Sequence, residues 1–246
     1  MIKKDWYIST VLGIKVDCIP MRRVLKIVKD WVENNRGKKY VVTPNPEMVV
    51  EAQKDEEFKR ILNKADLRIA DGIGLKLADK RIKRLAGADV MMKLIKLADK
   101  KGWKVMLLGG KPGIAERAGS KLQERFKNLQ LAVLAGPQKI KKVSVEENRN
   151  LIKSINEFKP DLLLVGFGHG KQEKWIAGNL NKLKIKVAMG VGGAIDYLVK
   201  PWLRAPKAVQ IIGLEWWWRL MLQPWRLKRQ LKLIKFMRLV LEQKTV

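Results

Sequence analysis

Lys104-Val105-Met106-Leu107-Leu108-Gly109-Gly110-Lys111-Pro112-Gly113-Ile114 runs from an apolar stretch through a glycine-rich turn into the start of an amphipathic segment. The apolar stretch lacks helical spacing and reads as a buried strand, the glycines allow a tight exit, and Ile114–Lys127 then shows helical periodicity. The same unit recurs on both sides. Strands are predicted at Tyr40–Thr43, Leu67–Ala70, Lys104–Leu108, Leu129–Leu134, Asp161–Phe167 and Lys186–Val191. Helices are predicted at Pro46–Asn63, Ala88–Lys101, Ile114–Lys127, Val145–Phe158 and Gln172–Lys184. Ahead of these, Tyr7–Asp17 reads as a short strand or hairpin and Met21–Glu33 as a first helix. Strand and helix alternating at this rhythm predict an α/β fold, a parallel sheet flanked by helices. Such sheets bind ligands beyond the carboxyl ends of their strands, which is where functional residues are sought.

A chain of 246 residues suffices for one well-buried α/β domain and an appendage. Its one cysteine, Cys18, excludes an internal disulfide, and its one histidine, His169, argues against a His-rich metal site. The N-terminus has no apolar signal region, and no stretch is long and apolar enough to span a bilayer. The expected location is the cytoplasm or the inner face of a membrane. With 52 basic and 24 acidic residues the net charge is +28, which calls for a polyanionic partner. Anionic lipid and nucleic acid both qualify. A lysine-rich thermophile surface is the plainer explanation, but it would bring matching glutamates.

Five strand-end segments carry polar or glycine chemistry. Thr43-Pro44-Asn45-Pro46 reads as a helix cap, and its Thr or Asn side chain is also free to meet a ligand. Ala70-Asp71-Gly72-Ile73-Gly74 sets an aspartate at the sheet rim beside glycines that let another group approach closely. Gly109 and Gly110 open a loop whose amides suit phosphate at a helix N-terminus, though the spacing of a nucleoside-triphosphate loop is absent. Gly166–Glu173 and Gly190–Asp196 end two successive strands in glycine clusters followed by amide or acid side chains. His169, alone in such a loop, reads as structural before catalytic.

In order, the chain holds Thr-Pro-Asn (43–45), Asp-Gly-Ile-Gly (71–74), Leu-Ala-Gly-Ala-Asp (85–89), Leu-Leu-Gly-Gly-Lys-Pro-Gly (107–113), Lys-Gln-Glu (171–173), Val-Gly-Gly-Ala-Ile-Asp (191–196), Arg-Ala-Pro (204–206) and Gly-Leu-Glu-Trp (213–216). That series resembles the WecG/TagA/CpsF glycosyltransferase family from about residue 8 to residue 230. The resemblance implies a Rossmann-like sheet of the GT-E type with a helical membrane-binding appendage. It implies a UDP-sugar donor, in the best-known branch UDP-N-acetylmannosamine, with UDP-ManNAcA and UDP-glucose as alternatives. The implied acceptor is N-acetylglucosamine on undecaprenyl diphosphate, used in wall teichoic acid or related surface polysaccharide synthesis. Inversion without metal or cofactor is implied as well. By motif, Asp71 resembles the general base and Thr43 a polar neighbour. Gln172 resembles a residue facing the sugar, and Arg84 an arginine near the donor diphosphate. Asn45 and Asp196 resemble nucleotide contacts, with Gly109, Gly110, Gly192 and Gly193 beside them.

The chemistry agrees with those residue types. The acceptor hydroxyl attacks the donor's anomeric carbon while a carboxylate takes its proton. Arginines and backbone amides must then stabilise the departing diphosphate, since the chain has no compact D-x-D cluster. Departures from the family pattern cluster around the sugar and nucleotide segments. Gly170 stands where Pro is usual before Lys-Gln-Glu, Ile195 where Phe is usual before Asp196, and Val199-Lys200 replace a small pair. An expected aromatic stretch is replaced around Ile140-Lys141-Lys142, and the interval from Asp71 to Arg84 is short.

Residues 199–246 form the expected appendage to a core of residues 1–198. From Lys200 onward eleven Lys or Arg face only Glu215 and Glu242, and five of the nine tryptophans are Trp202, Trp216, Trp217, Trp218 and Trp225. Over Arg226–Leu241 a helical projection gathers Leu227, Leu231, Leu233, Ile234, Met237 and Leu241 on one broad face. Lys228, Lys232 and Lys235 lie on the other, with Arg238 and Leu239 breaking the pattern. Tryptophan with a basic amphipathic helix marks an element lying in a membrane interface; packing on the core or on a second copy of the chain is the alternative. By the resemblance, Arg204, Arg219 and Arg226 reach toward the donor diphosphate. A nucleic-acid binder would share the charge and the tryptophans but leaves the strand-end loops unexplained, so nucleic acid is not an expected partner.

Overall fold

The computed structural model describes residues 6–110, 113–137, 140, 143–224 and 227–245. Lys111, Pro112, Lys141, Lys142, Trp225 and Arg226 lie outside the described residues, as does the side chain of Lys228.

An antiparallel hairpin, β1 (Ile8–Val11) and β2 (Ile14–Asp17), precedes helix α1 (Met21–Glu33). Six strands then build one parallel sheet: β3 (Lys39–Val42), β4 (Leu67–Arg68), β5 (Lys104–Gly109), β6 (Gln130–Leu134), β7 (Leu162–Gly166) and β8 (Val187–Gly190). Their spatial order is β4-β3-β8-β7-β5-β6. Both faces are covered. Met106, Leu108, Leu163, Val165 and Ala188 join one apolar layer, while Val105, Leu107, Leu162, Leu164, Val187 and Met189 join the other. A strand buried on both faces needs apolar residues at every position, which is why these segments read as continuous apolar runs.

The helices that follow the strands are α2 (Pro46–Ala52), α3 (Glu56–Lys64), α4 (Gly87–Lys101), α5 (Ile114–Arg125), α6 (Val145–Phe158), α7 (Lys171–Asn179) and α8 (Ala194–Val199). The single helix expected over Pro46–Asn63 is two. Asp55 caps the second by accepting from the Phe58 amide at 2.9 Å, and Glu56 and Glu57 follow in its first turn. The strand expected through Ala70 stops at Arg68, with Ile69 only bridging to Asp17, and Ile73–Leu77 is a 3-10 turn. The helix expected through Lys184 ends at Asn179 and continues as a 3-10 turn over Leu180–Lys182.

The hairpin is fixed to the sheet edge by a buried ion pair. Arg68 meets Asp17 in a fork, Nε to Oδ2 and Nη2 to Oδ1 at 3.0 Å each, and the Trp6 indole donates to Asp17 Oδ1 at 2.8 Å. Residues past 199 form α9 (Lys207–Ile211), α10 (Glu215–Leu222) and α11 (Leu227–Thr245). Helix α11 lies on α2 and on the 3-10 turn, burying Phe236 completely and Val240 almost so. Lys232 reaches Glu51 of α2 at 3.1 Å. The single broad apolar face expected for this helix is therefore two seams. Leu233, Phe236, Leu239 and Val240 pack inward, which explains Leu239 as core contact. Leu227, Leu231, Ile234, Met237 and Leu241 remain exposed. Among the described residues no helix is long and apolar enough to cross a membrane.

Candidate active site

Four strands deliver their carboxyl ends to one cleft, lined by Thr43 and Asn45 after β3, Asp71 after β4, Gly168, His169 and Gln172 after β7, and Gly192, Gly193 and Asp196 after β8. Glu215, Arg219 and Leu222 of α10 cover it. Asp71 and Asp196, far apart in sequence, therefore share a wall.

Asp71 is held from several sides. Its amide donates to the Pro44 carbonyl at 2.8 Å, and the next turn returns when the Leu85 amide reaches the Ala70 carbonyl at 2.9 Å. Gly87, the first residue of α4, sits so close that a β-carbon there would lie 3.3 Å from Thr43 Cγ2 and 3.6 Å from Asp71 Oδ2. The absence of a side chain lets the N-terminus of a long helix face both residues. Burial pushes the Asp71 carboxyl above the usual carboxylate range, while Arg219, the Gly87 amide, Arg84 and the Gly72 amide pull against it.

Gln172 is nearly fully buried and spent on its neighbours. Its Oε1 accepts from the Gly192 amide at 2.9 Å and its Nε2 donates to Glu173 Oε1 at 2.8 Å, tying the β7 loop to the β8 loop. Gly190 must lack a side chain, since a β-carbon there would come 2.6 Å from Gln172 Nε2. Glu173 is fully buried and accepts from the Gly170 amide at 2.7 Å; burial raises its carboxyl. Gly170 has φ of +78°, a conformation that proline, locked near −65°, cannot take. The glycine that replaces the usual Pro is therefore required by this turn. Asn45 does two things: its Oδ1 accepts from the Met48 amide at 3.0 Å as the cap of α2, and it lines the cleft.

Four of the expected residues lie elsewhere. Gly109 and Gly110 do not line the cleft; a β-carbon at Gly109 would strike the Gly166 carbonyl at 2.9 Å, so close strand packing accounts for it. Arg204 pairs with Asp89 at 2.7 Å, outside the cleft lining. Arg84 borders a second cavity that shares Asp71 with the first, where Asn45, Glu215 and Arg219 reappear with Pro46, Ile73, Trp216 and Leu233.

Sequence reasoning assigned no role to Glu215, Tyr197 or His169 in this arrangement. Glu215 Oε2 accepts from Arg84 Nη2 at 2.6 Å, and its Oε1 lies 3.6 Å from Arg219. Burial first, then Asp71, raises the Glu215 carboxyl, while Arg84 and Arg204 lower it. The Arg219 guanidinium stands 4.9 Å from the Tyr197 ring centre, and the buried Tyr197 hydroxyl has no hydrogen-bond partner among the described residues. His169 lies 3.2 Å from Glu51, the same carboxylate that holds Lys232 of α11. The signal for Glu215 was its place in Gly-Leu-Glu-Trp; nothing local marked Tyr197.

A parallel sheet whose strand ends gather carboxylates, amides, glycines and an arginine around one cleft has the layout of an α/β enzyme that binds its ligands beyond the strand ends. A family model described as "Glycosyl transferase WecG/TagA/CpsF family" matches residues 9–246, and the chain belongs to that family. It is similar to the N-acetylglucosaminyldiphosphoundecaprenol N-acetyl-beta-D-mannosaminyltransferase of Staphylococcus aureus strain MRSA252, 32% identical over 230 residues covering 91% of this chain and 88% of the relative. The protein of the same description from strain NCTC 8325 / PS 47 is 31% identical over the same shares.

Proposed function

We propose that this enzyme transfers N-acetylmannosamine from UDP-N-acetylmannosamine to N-acetylglucosamine carried on undecaprenyl diphosphate, with inversion and without metal, in wall teichoic acid or related polysaccharide synthesis. The observation that carries the reading is the single cleft in which Asp71, Thr43, Asn45, Gln172 and Asp196 converge beneath Arg219. The names of the relatives supply donor sugar and acceptor. Asp71 acts as general base: a carboxyl raised by burial is closer to the working pH and therefore a better proton acceptor. Thr43 and Gln172 border the reacting sugar, Asn45 and Asp196 hold the nucleotide, and the Gly193 amide with Arg219 meets the diphosphate, while Gly192 stays tied to Gln172.

Residues 1–198 are the catalytic core and residues 199–246 the appendage that closes it against the cytoplasmic leaflet. Exposed Trp202, Ile211, Ile212, Trp217 and Met221, with the outward seam of α11, support a peripheral membrane seat. The test is UDP release from a panel of UDP-sugars with a lipid-diphosphate-GlcNAc analogue, comparing the wild type with Asp71→Asn. The expected result is turnover with UDP-N-acetylmannosamine and a loss of 10²-fold or more, on the order expected for a general base, in the variant. Undiminished turnover in Asp71→Asn removes the aspartate from the mechanism.

A further inference from the structure

The second cavity differs in character from the cleft that faces Asp196. Its walls are Pro46 and Ile73 from the core, and Trp216 and Leu233 from the appendage, with Asn45, Glu47, Asp71, Arg84, Glu215 and Arg219 at its polar parts. One end is thus apolar and the other ionic. Ile73 and Trp216 are 39% and 38% exposed although they line a cavity, so the apolar wall runs out to the surface. Helices α10 and α11, which supply Trp216 and Leu233 to that wall, also carry bare apolar side chains. At the ionic end Glu215 occupies Arg84 at 2.6 Å, and a half-buried carboxylate between two arginines fills the place an anion would take. Two cavities sharing Asp71, one polar and one amphiphilic, suit a two-substrate reaction in which the base must lie between the partners.

Resting on the transferase reading, we propose that this second cavity seats the acceptor as a polyprenyl diphosphate. The diphosphate takes Arg84 from Glu215, and the isoprenoid leaves between Ile73, Trp216 and Leu233 toward the membrane-facing side of α10 and α11. The acceptor sugar then lies between Glu47 and Asp71, whose carboxylate oxygens accept hydrogen bonds from its hydroxyls. Arg84 belongs to the acceptor on this account, and Arg219, which lines both cavities, is left to serve the donor.

The test needs no turnover. Farnesyl diphosphate and inorganic diphosphate are titrated by calorimetry into the full-length protein and into Ile73→Ser, Trp216→Ser and Leu241→Ser, with UDP titrated in parallel. Leu241 is exposed apolar surface outside the cavity and controls for unspecific adsorption. Ile73→Ser and Trp216→Ser should each weaken farnesyl diphosphate about tenfold, the loss expected from roughly two methylenes of apolar burial. Inorganic diphosphate and UDP should change less than twofold. No binding of farnesyl diphosphate by the wild type, equal loss in Leu241→Ser, or equal loss of UDP affinity overturns the assignment. Absence of UDP binding in the wild type alone counts against the nucleotide-sugar reading and leaves this result standing.

Discussion

Replacing Phe236 by alanine should release α11 from the core while leaving the sheet intact. The ring is completely buried between α11 and α2, and Val240 beside it is nearly so. Truncating a buried phenylalanine costs about 3–5 kcal/mol. The polar part of the same seam is slight, because Lys232 and Glu51 are each more than a third exposed at 3.1 Å and such pairs contribute about 0–1 kcal/mol. Most of the docking therefore rests on Phe236 and its apolar neighbours. Hydrogen exchange followed by mass spectrometry reads this directly. Amides of Leu227–Thr245 should lose about 10²-fold or more of their protection, the factor that corresponds to roughly 3 kcal/mol, while Lys104–Gly109 and Leu162–Gly166 keep theirs. Lys232→Ala should alter α11 protection less than about fivefold, the equivalent of about 1 kcal/mol. If the central strands lose protection in step with α11, the helix is part of one cooperative unit, and the division at residue 199 fails.

Asp71 has its carboxyl raised by burial, so the acidic limb of kcat/KM should lie above the ordinary aspartate value of about 3.9, and a limb at or below that value refutes a buried base. The sign for stability is the reverse of that for activity. A folded pKa above the unfolded one gives stability that is complete at low pH and lost as pH rises through it, so Asp71→Asn should melt higher than the wild type at neutral pH. Glu51 behaves oppositely: His169 first, and then Lys232, hold its carboxyl down to about 2 from 4.5. Its stabilisation is present above 4.5 and lost on acidification toward 2, so pepsin, which is active in acid, should cut α11 increasingly through that window, and Glu51→Gln should flatten the response. Asp17→Ala strands the buried Arg68 guanidinium and should cost about 3–5 kcal/mol in urea unfolding; a loss under 1 kcal/mol would show the fork to be solvated.

The sheet was legible because strands buried on both faces leave runs such as Lys104–Gly109 that suit no helix. The break at Asp55 was legible too, as an N-cap with acids behind it, but the apolar periodicity on either side carried the reading through it. The tail misled in another way. Two apolar seams on one helix look, in projection, like a single irregular face, and only the position of α2 separates them. Asp71, Thr43, Asn45, Gln172 and Asp196 were picked out by their place in strand-end loops and by the motifs they sit in, and the structure brings all five to one cleft. Arg84 and Glu215 meet across 131 residues, and no spacing rule reaches that far. Charge misled in degree: residues 200–246 carry eleven basic and two acidic side chains, a net of nine of the +28, so most of the excess belongs to the core.

The outward row of Leu227, Leu231, Ile234 and Leu241 has no cover within the described chain. In plain buffer such a stripe is a debt to the solvent that the molecule cannot settle alone. A bilayer, a detergent belt or a twin molecule can each discharge it. Sedimentation behaviour should accordingly depend on which of the three is supplied, and the same preparation should look small in detergent and larger without it.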